Sequence, residues 1–316
     1  SSDLLTNLRW PSVLYTALTA ALLLISVRRF SGKTQTGVLA AFVWLSFFAT
    51  YRYGRPFLTD PPEVFWLSVP FFVLLYWGRS AFESKLFFPL VAGVSLGFAL
   101  FAKSFAYIVP ASFALGLYYW HWRKWSISQT LIHDLYKLIL LGIIALGIFS
   151  LWFVLDPNPE AVWREFVMGE NAGKFAARSS NYFLDFIRGG DSIWMLIITT
   201  LANAGLFLFV LISALVQCWR ERRFISAEET LLLLLIAAFL LVFSFPSQRS
   251  GRYLLPVMPA FAALIALHWD RLPLWGFRVA LILQALILGL LLWLGIHLQH
   301  SVLIEGLGVW QYSLLH

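Results

Sequence analysis

The chain has 316 residues, 60% of them hydrophobic and only 12% charged, with a mean hydropathy of +0.78. Soluble domains carry about 25% charged residues, so the composition excludes an ordinary soluble enzyme and reads as an all-α, polytopic membrane protein. The net charge of +7 calls for no nucleic acid, because basic loops orient membrane helices, and the lone Cys218 excludes an internal disulfide.

In chain order, apolar runs at 11–27, 36–51, 62–77, 86–101, 105–120, 138–155, 192–216, 230–246, 254–268 and 276–297 predict about ten transmembrane helices. Several are shorter than the roughly 20 residues that cross the hydrocarbon. Runs 86–101 and 105–120 are read as two spans joined by a very short turn at Lys103-Ser104. Between the second and third runs lies Arg52 to Trp66, where Asp60 stands directly before Pro61 and Pro62. Proline is tolerated in a first helical turn, which places Asp60 at the N-terminal end of a membrane helix. Aspartate is common at helix caps. A charge beside hydrocarbon is otherwise unfavourable unless it is solvated, paired or used. On this stretch alone both readings stand.

The segment 156–191 is too polar to cross a membrane and too long for a simple connection. Its Trp163, Phe166, Val167, Phe175, Tyr182, Phe183, Phe186 and Ile187 recur at helix-like spacing among charges, which predicts short amphipathic helices on the membrane surface. The segment 219–223, Trp-Arg-Glu-Arg-Arg, reads as an orientation signal. His297 and His300 have no third ligand nearby, so they do not make a metal site. Phosphate-loop and dinucleotide glycine patterns are absent, which argues against an ATP-driven pump. No linker separates soluble domains, and the chain 1–316 reads as a single membrane domain.

Lys and Arg set the orientation. With ten spans, one set of alternate loops holds thirteen basic residues beside six acids, and the other holds ten beside ten. The first set is therefore expected to be cytoplasmic. The outer loops then offer Asp60 and Glu63, Lys103, Glu170 with Lys174, and Arg249 with Arg252. Arg and Lys bind phosphate through charge-assisted hydrogen bonds, and a carboxylate serves as a base or orients a hydroxyl. Taken singly, each of these is equally well a snorkelling interfacial residue. A lipid-linked sugar transporter or a non-catalytic scaffold of envelope assembly would also carry outer charges. A transporter would add ionisable groups at mid-membrane, where this chain has few.

Three passages carry a family resemblance. Tyr53-Gly54-Arg55-Pro56-Phe57-Leu58-Thr59-Asp60-Pro61-Pro62 resembles the Asp-containing segment of the bacterial relatives of protein O-mannosyltransferases and aminoarabinose transferases. Gly97-Phe98-Ala99-Leu100-Phe101-Ala102-Lys103, followed by Pro110, is similar to that family's Gly-x-x-x-x-x-Lys turn. Ser250-Gly251-Arg252-Tyr253-Leu254-Leu255-Pro256-Val257-Met258-Pro259 resembles its Arg-Tyr-x-x-Pro-x-x-Pro signature. Arg9-Trp10-Pro11-Ser12 and Glu170-Asn171-Ala172-Gly173-Lys174-Phe175 add weaker matches, with Lys174 where many relatives have Arg.

The resemblance implies a GT-C glycosyltransferase of the bacterial inner membrane, working on the periplasmic face. Its donor would be a sugar on a polyprenyl phosphate, and its acceptor a lipid, a glycan or a protein. Lys103, Glu170, Lys174, Arg249, Arg252 and Tyr253 would bind the donor. Asp60 would shape the acceptor site or orient a donor-binding side chain. No cofactor is implied with any force, although a divalent metal stays open. In the family, a first helix and an outer loop with an acidic motif come earlier and supply the presumed catalytic carboxylate. This chain begins at Ser1 with no initiator Met, just before the second family helix. The general base is therefore expected on a preceding segment, and full activity is not expected from these residues alone.

Overall fold

The computed structural model describes residues 2–103, 105–164, 168, 186–189, 191–222, 225–247 and 249–301, with side chains from Leu8 to His297. Each of the ten apolar runs forms helix. The helices are α1 (Ser2–Ser31), α2 (Thr34–Ser46), α3 (Phe48–Tyr53), α4 (Asp60–Trp77), α5 (Arg79–Glu83), α6 (Phe87–Ala102) and α7 (Phe105–Trp122). They continue with α8 (Ile127–His133), α9 (Leu135–Leu155), α10 (Ile193–Ala202), α11 (Leu208–Arg220) and α12 (Ala227–Ser244). A 3-10 helix at Gly251–Val257 leads into α13 (Met258–His268), and α14 (Leu274–Ser301) follows.

Five segments are individually long and apolar enough to span a membrane: Leu8–Ser31, Leu135–Leu155, Ala227–Ser244, Gly251–Arg271 and Leu274–His297. Against the ten spans expected, five helices, or six if the bent pair Ile193–Ala202 and Gly205–Arg220 counts as one, meet that test among the described residues. At 1.5 Å per residue, Phe87–Ala102 reaches about 24 Å, less than the roughly 30 Å of hydrocarbon. The run 192–216 is not one straight helix, because Ile193–Ala202 and Gly205–Arg220 meet at 109°. Its two ends nevertheless lie at opposite ends of the bundle. Arg249, near the start of the Gly251–Arg271 span, donates to the Asp191 carbonyl at 2.6 Å. Arg271, at that span's other end, pairs with Glu221 at 2.7 Å.

The centre of the bundle is α13, whose residues from Met258 through Ala266 are all buried. It packs on α2, α11 and α12. Helices α6 and α7 part at Lys103, where the backbone leaves the helical region (φ −156°, ψ −128°). From there α6 packs on α4 and α9, whereas α7 packs on α12. The α6–α9 contact relies on small residues. A Cβ on Gly93 would stand 2.8 Å from Ile144 Cβ, and one on Gly97 would stand 2.7 Å from Ile148 Cβ. Glycines four apart let two membrane helices approach closely, and dispersion then holds them. The divergence at Lys103 points its side chain toward α4.

The amphipathic helices expected over 156–191 fall mostly outside the described residues. What is described there includes a helical turn at Pro159–Ala161, capped by Asn158, and exposed Trp163 and Ile187.

Candidate functional site

Asp60 opens α4 but is not its cap. Thr59 holds the N-cap position without a side-chain cap bond, and the following prolines fill the first turn. The Asp60 carboxylate is only 1% exposed, and both of its oxygens are engaged. Lys103 Nζ donates to Oδ1 at 2.8 Å. Arg252 adds a two-pronged contact, Nε to Oδ1 at 3.2 Å and Nη2 to Oδ2 at 2.7 Å. A buried carboxylate is strongly unfavourable unless paired, and a planar guanidinium matches it with two parallel bonds. Lys103 comes from 43 residues away and Arg252 from 192. The fold, rather than local sequence, assembles this cluster.

Glu63 lies one helical turn beyond Asp60 and is equally buried. Lys103 Nζ stands 3.2 Å from Glu63 Oε2, within ion-pair reach. Neither Glu63 oxygen receives a well-directed hydrogen bond among the described residues. Aromatic faces complete the surroundings. Lys103 Nζ sits 4.6 Å from the Tyr107 ring centre, and the Arg252 guanidinium carbon 5.5 Å from that of Tyr53. Such contacts stabilise a cation by about 0.5–2 kcal/mol, depending on how dry the site is. Both cations still reach the surface, with Lys103 22% and Arg252 41% exposed. Beside Asp60 lies a cavity of about 20 Å³ bordered by Thr16, Thr50, Tyr53 and Val64. That is room for about one water.

The structure thus joins Asp60, Lys103 and Arg252. Tyr253 packs behind them, stacked on Phe243 with ring centres 5.3 Å apart and close to Tyr107. Arg249 points elsewhere. It is buried, donates to the carbonyls of Ser244 at 2.7 Å and Asp191 at 2.6 Å, and lies over Phe186. Its contacts tie two chain segments together. Glu170 and Lys174 lie outside the described residues. Tyr107 belongs to the site although its sequence context carried no signal for it, since an aromatic in an apolar run reads as core, whereas Tyr53 opens a family-like motif but was not itself picked out. Among the described residues no group of three or more His, Cys, Asp or Glu could hold a metal ion.

The opposite end holds charges that the apolar runs concealed. Asp134 is fully buried and accepts from Arg123 Nε at 2.6 Å, Arg123 Nη2 at 3.0 Å and Lys137 Nζ at 3.1 Å. Buried His268 lies 3.1 Å from Glu229 and 3.6 Å from Glu221.

The fold and the site define a multi-pass, all-helical membrane protein with a charged cluster at one end of its bundle. Residues 5–166, just over half of the chain, match the family described as dolichyl-phosphate-mannose-protein mannosyltransferase, and the chain belongs to that family. It is similar to undecaprenyl phosphate-alpha-4-amino-4-deoxy-L-arabinose arabinosyl transferases. The protein of Yersinia pestis (strain Pestoides F) is 27% identical over 266 residues, covering 82% of this chain and 45% of the relative. That of Pseudomonas aeruginosa (strain UCBPP-PA14) is 26% identical over 272 residues, with the same coverages of 82% and 45%. The chain spans about half the length of these relatives. Among solved structures, ArnT from Cupriavidus metallidurans in the apo state matches with a TM-score of 0.66 and 16% identity, over 96% of this chain and 53% of that one. The same protein bound to undecaprenyl phosphate gives 0.64 and 17%, over 97% and 53%. These likenesses bear out the all-α GT-C fold that the resemblance implied.

Proposed function

We propose that this chain forms the donor-binding part of a glycosyltransferase that moves a sugar from a polyprenyl phosphate to an acceptor. The carrying observation is the convergence of Lys103 and Arg252 on buried Asp60 from three distant parts of the chain. Asp60 holds both cations in place, and their partly exposed faces present N–H donors to a phosphate. The acceptor's nucleophilic oxygen attacks the sugar's anomeric carbon, the bond to the phosphate oxygen breaks, and the leaving phosphate gains negative charge. Cations fixed beside that oxygen stabilise the transition state more than the ground state. Asp60 is a poor general base because its oxygens already accept three hydrogen bonds. Its part is to orient the cations, and the base lies on another segment of the protein.

The similarity to transferases named for undecaprenyl phosphate, and to a structure solved with that lipid, supports the choice of carrier. The basic-residue count supports an outer position for the Asp60 end, which for a protein of the kind it resembles is the periplasmic face of the inner membrane. The transporter reading is less well supported, because the described buried charges gather at the two ends of the bundle.

The test is a titration with undecaprenyl phosphate. Arg252→Ala is expected to weaken binding by about 1.5–3 kcal/mol, the range for hydrogen bonds to charged groups. Arg252→Lys should recover only part, since a point charge replaces a fork. Unchanged affinity in Arg252→Ala would remove this arginine from the site and the function with it.

A further inference from the structure

Asn203 sits where α10 breaks into α11, in the 109° bend, and it is buried. A buried amide is unfavourable unless it is hydrogen-bonded, and this one bonds to two different elements. Its backbone carbonyl accepts from the Ala49 amide at 2.9 Å. Its side-chain Nδ2 donates to the Gly251 carbonyl, also at 2.9 Å. Ala49 belongs to α3, which ends at Tyr53, and Gly251 immediately precedes Arg252. Tyr53 is the ring beside which the Arg252 guanidinium rests. One residue therefore links the elements that supply the cation and its aromatic wall.

The fit around this link is close. A Cβ on Gly251 would come within 2.7 Å of Thr199, so only glycine lets the start of the 3-10 helix before Arg252 lie against α10. Two residues after Asn203, Gly205 adopts a positive φ of +59° and brings its backbone against Phe48. Positive φ is readily reached by glycine alone.

We propose that Asn203 is a positioning residue for donor binding. Its side-chain amide fixes the Gly251 carbonyl, and that sets where the Arg252 fork meets Asp60 and which edge it turns toward a phosphate. The inference rests on the reading of Arg252 as a phosphate-binding group. Aspartate at 203 keeps the shape but offers no donor, and it sets a carboxylate oxygen against the Gly251 carbonyl.

The experiment titrates the purified chain in detergent with undecaprenyl phosphate and, as the uncharged control, undecaprenol. Asn203→Asp is expected to weaken the phosphate lipid by roughly three- to tenfold, the range of one hydrogen bond. Undecaprenol binding should not move. Adding Asn203→Asp to Arg252→Ala should cause no further loss, because the residue acts only through Arg252. Gly251→Ala, which pushes the same turn away from Thr199 on α10, should give the same pattern and replaces Asn203→Asp if that variant does not fold. Losses that add in the double variant, or that are equal for both lipids, would overturn the proposal in favour of general packing. A loss with Arg252→Ala but none with Asn203→Asp would remove Asn203 alone. No loss with Arg252→Ala would instead remove the phosphate reading beneath it.

Discussion

Asp60 and Asp134 are buried carboxylates at opposite ends of the bundle, each held by one arginine and one lysine, yet the two clusters differ in what is left over. Asp134 draws its partners from nearby, Arg123 eleven residues before it and Lys137 three after it. Lys137 is itself buried and also donates to the Phe82 carbonyl at 2.8 Å, so the group is closed on its lysine side, and only Arg123, 23% exposed, reaches the surface. Asp60 draws its partners from far along the chain, and both keep a face at the surface. Beside them stands a second buried carboxylate, Glu63, in ion-pair reach of Lys103 but without a directed hydrogen bond. A closed buried cluster serves structure. An open one, whose lysine and arginine keep N–H donors at the surface, is what an anion site requires, because a bound anion must reach donors that the buried carboxylates leave over.

The largest effect should come from the closed cluster. Asp134→Ala leaves Lys137 buried without its counter-ion, and breaking a buried pair from one side destabilises by about 3–5 kcal/mol. Thermal unfolding in detergent would read this as a large drop in Tm or as failure to fold. A loss under about 1 kcal/mol would mean that the inner cluster carries no structural role.

Asp60→Asn should behave in the opposite way. Lys103 keeps Glu63 as a partner, and Arg252 can turn toward water, so the stability loss should be smaller, about 1–2 kcal/mol. Function should suffer more. Without the carboxylate the two cations lose their fixed positions, and the sugar transfer proposed above should run at least tenfold more slowly, a loss of about 1.4 kcal/mol or more in transition-state stabilisation. Full turnover in Asp60→Asn would return this residue to a structural part at the start of α4. A stability loss equal to that of Asp134→Ala would erase the contrast between the two ends.

How far the sequence led differs between these ends as well. The apolar runs located the helices, because twenty or so residues without charge have one stable state in hydrocarbon. They could not show the bend at Asn203, since α10 and α11 are both apolar and the break is made by a buried side chain and a glycine. Asp60, Lys103 and Arg252 were legible as charges at the ends of runs, and the family-like motifs grouped them. Their pairing was not legible, because contacts across 43 and 192 residues depend on how helices pack. The surroundings of Arg249 were not legible for a related reason. Three residues from Arg252 in sequence, it faces backbone carbonyls of another segment. Asp134 and Lys137 went unnoticed because a charged pair three apart at the start of an apolar helix looks like an ordinary orientation signal.

The smallest effect belongs to a third ion pair, Arg79–Glu83 on α5, and it calibrates the other two. Its N···O distance is 2.7 Å, the same as that between Arg252 and Asp60. Distance alone would rank the two pairs as equal. Their surroundings differ, since the Arg79 and Glu83 side chains are 75% and 50% exposed, and water competes for both charges. Exposed pairs one helical turn apart contribute about 0.3–0.5 kcal/mol and are weakened further by salt. Glu83→Gln should therefore shift thermal stability by no more than about 0.5 kcal/mol, and the shift should vanish at high ionic strength. The same salt should change the cost of Asp134→Ala much less, because Asp134 and Lys137 are both buried away from dissolved ions. If Glu83→Gln were as damaging as Asp60→Asn, burial would not be what separates these carboxylates, and the contrast between the ends would have to rest on geometry alone.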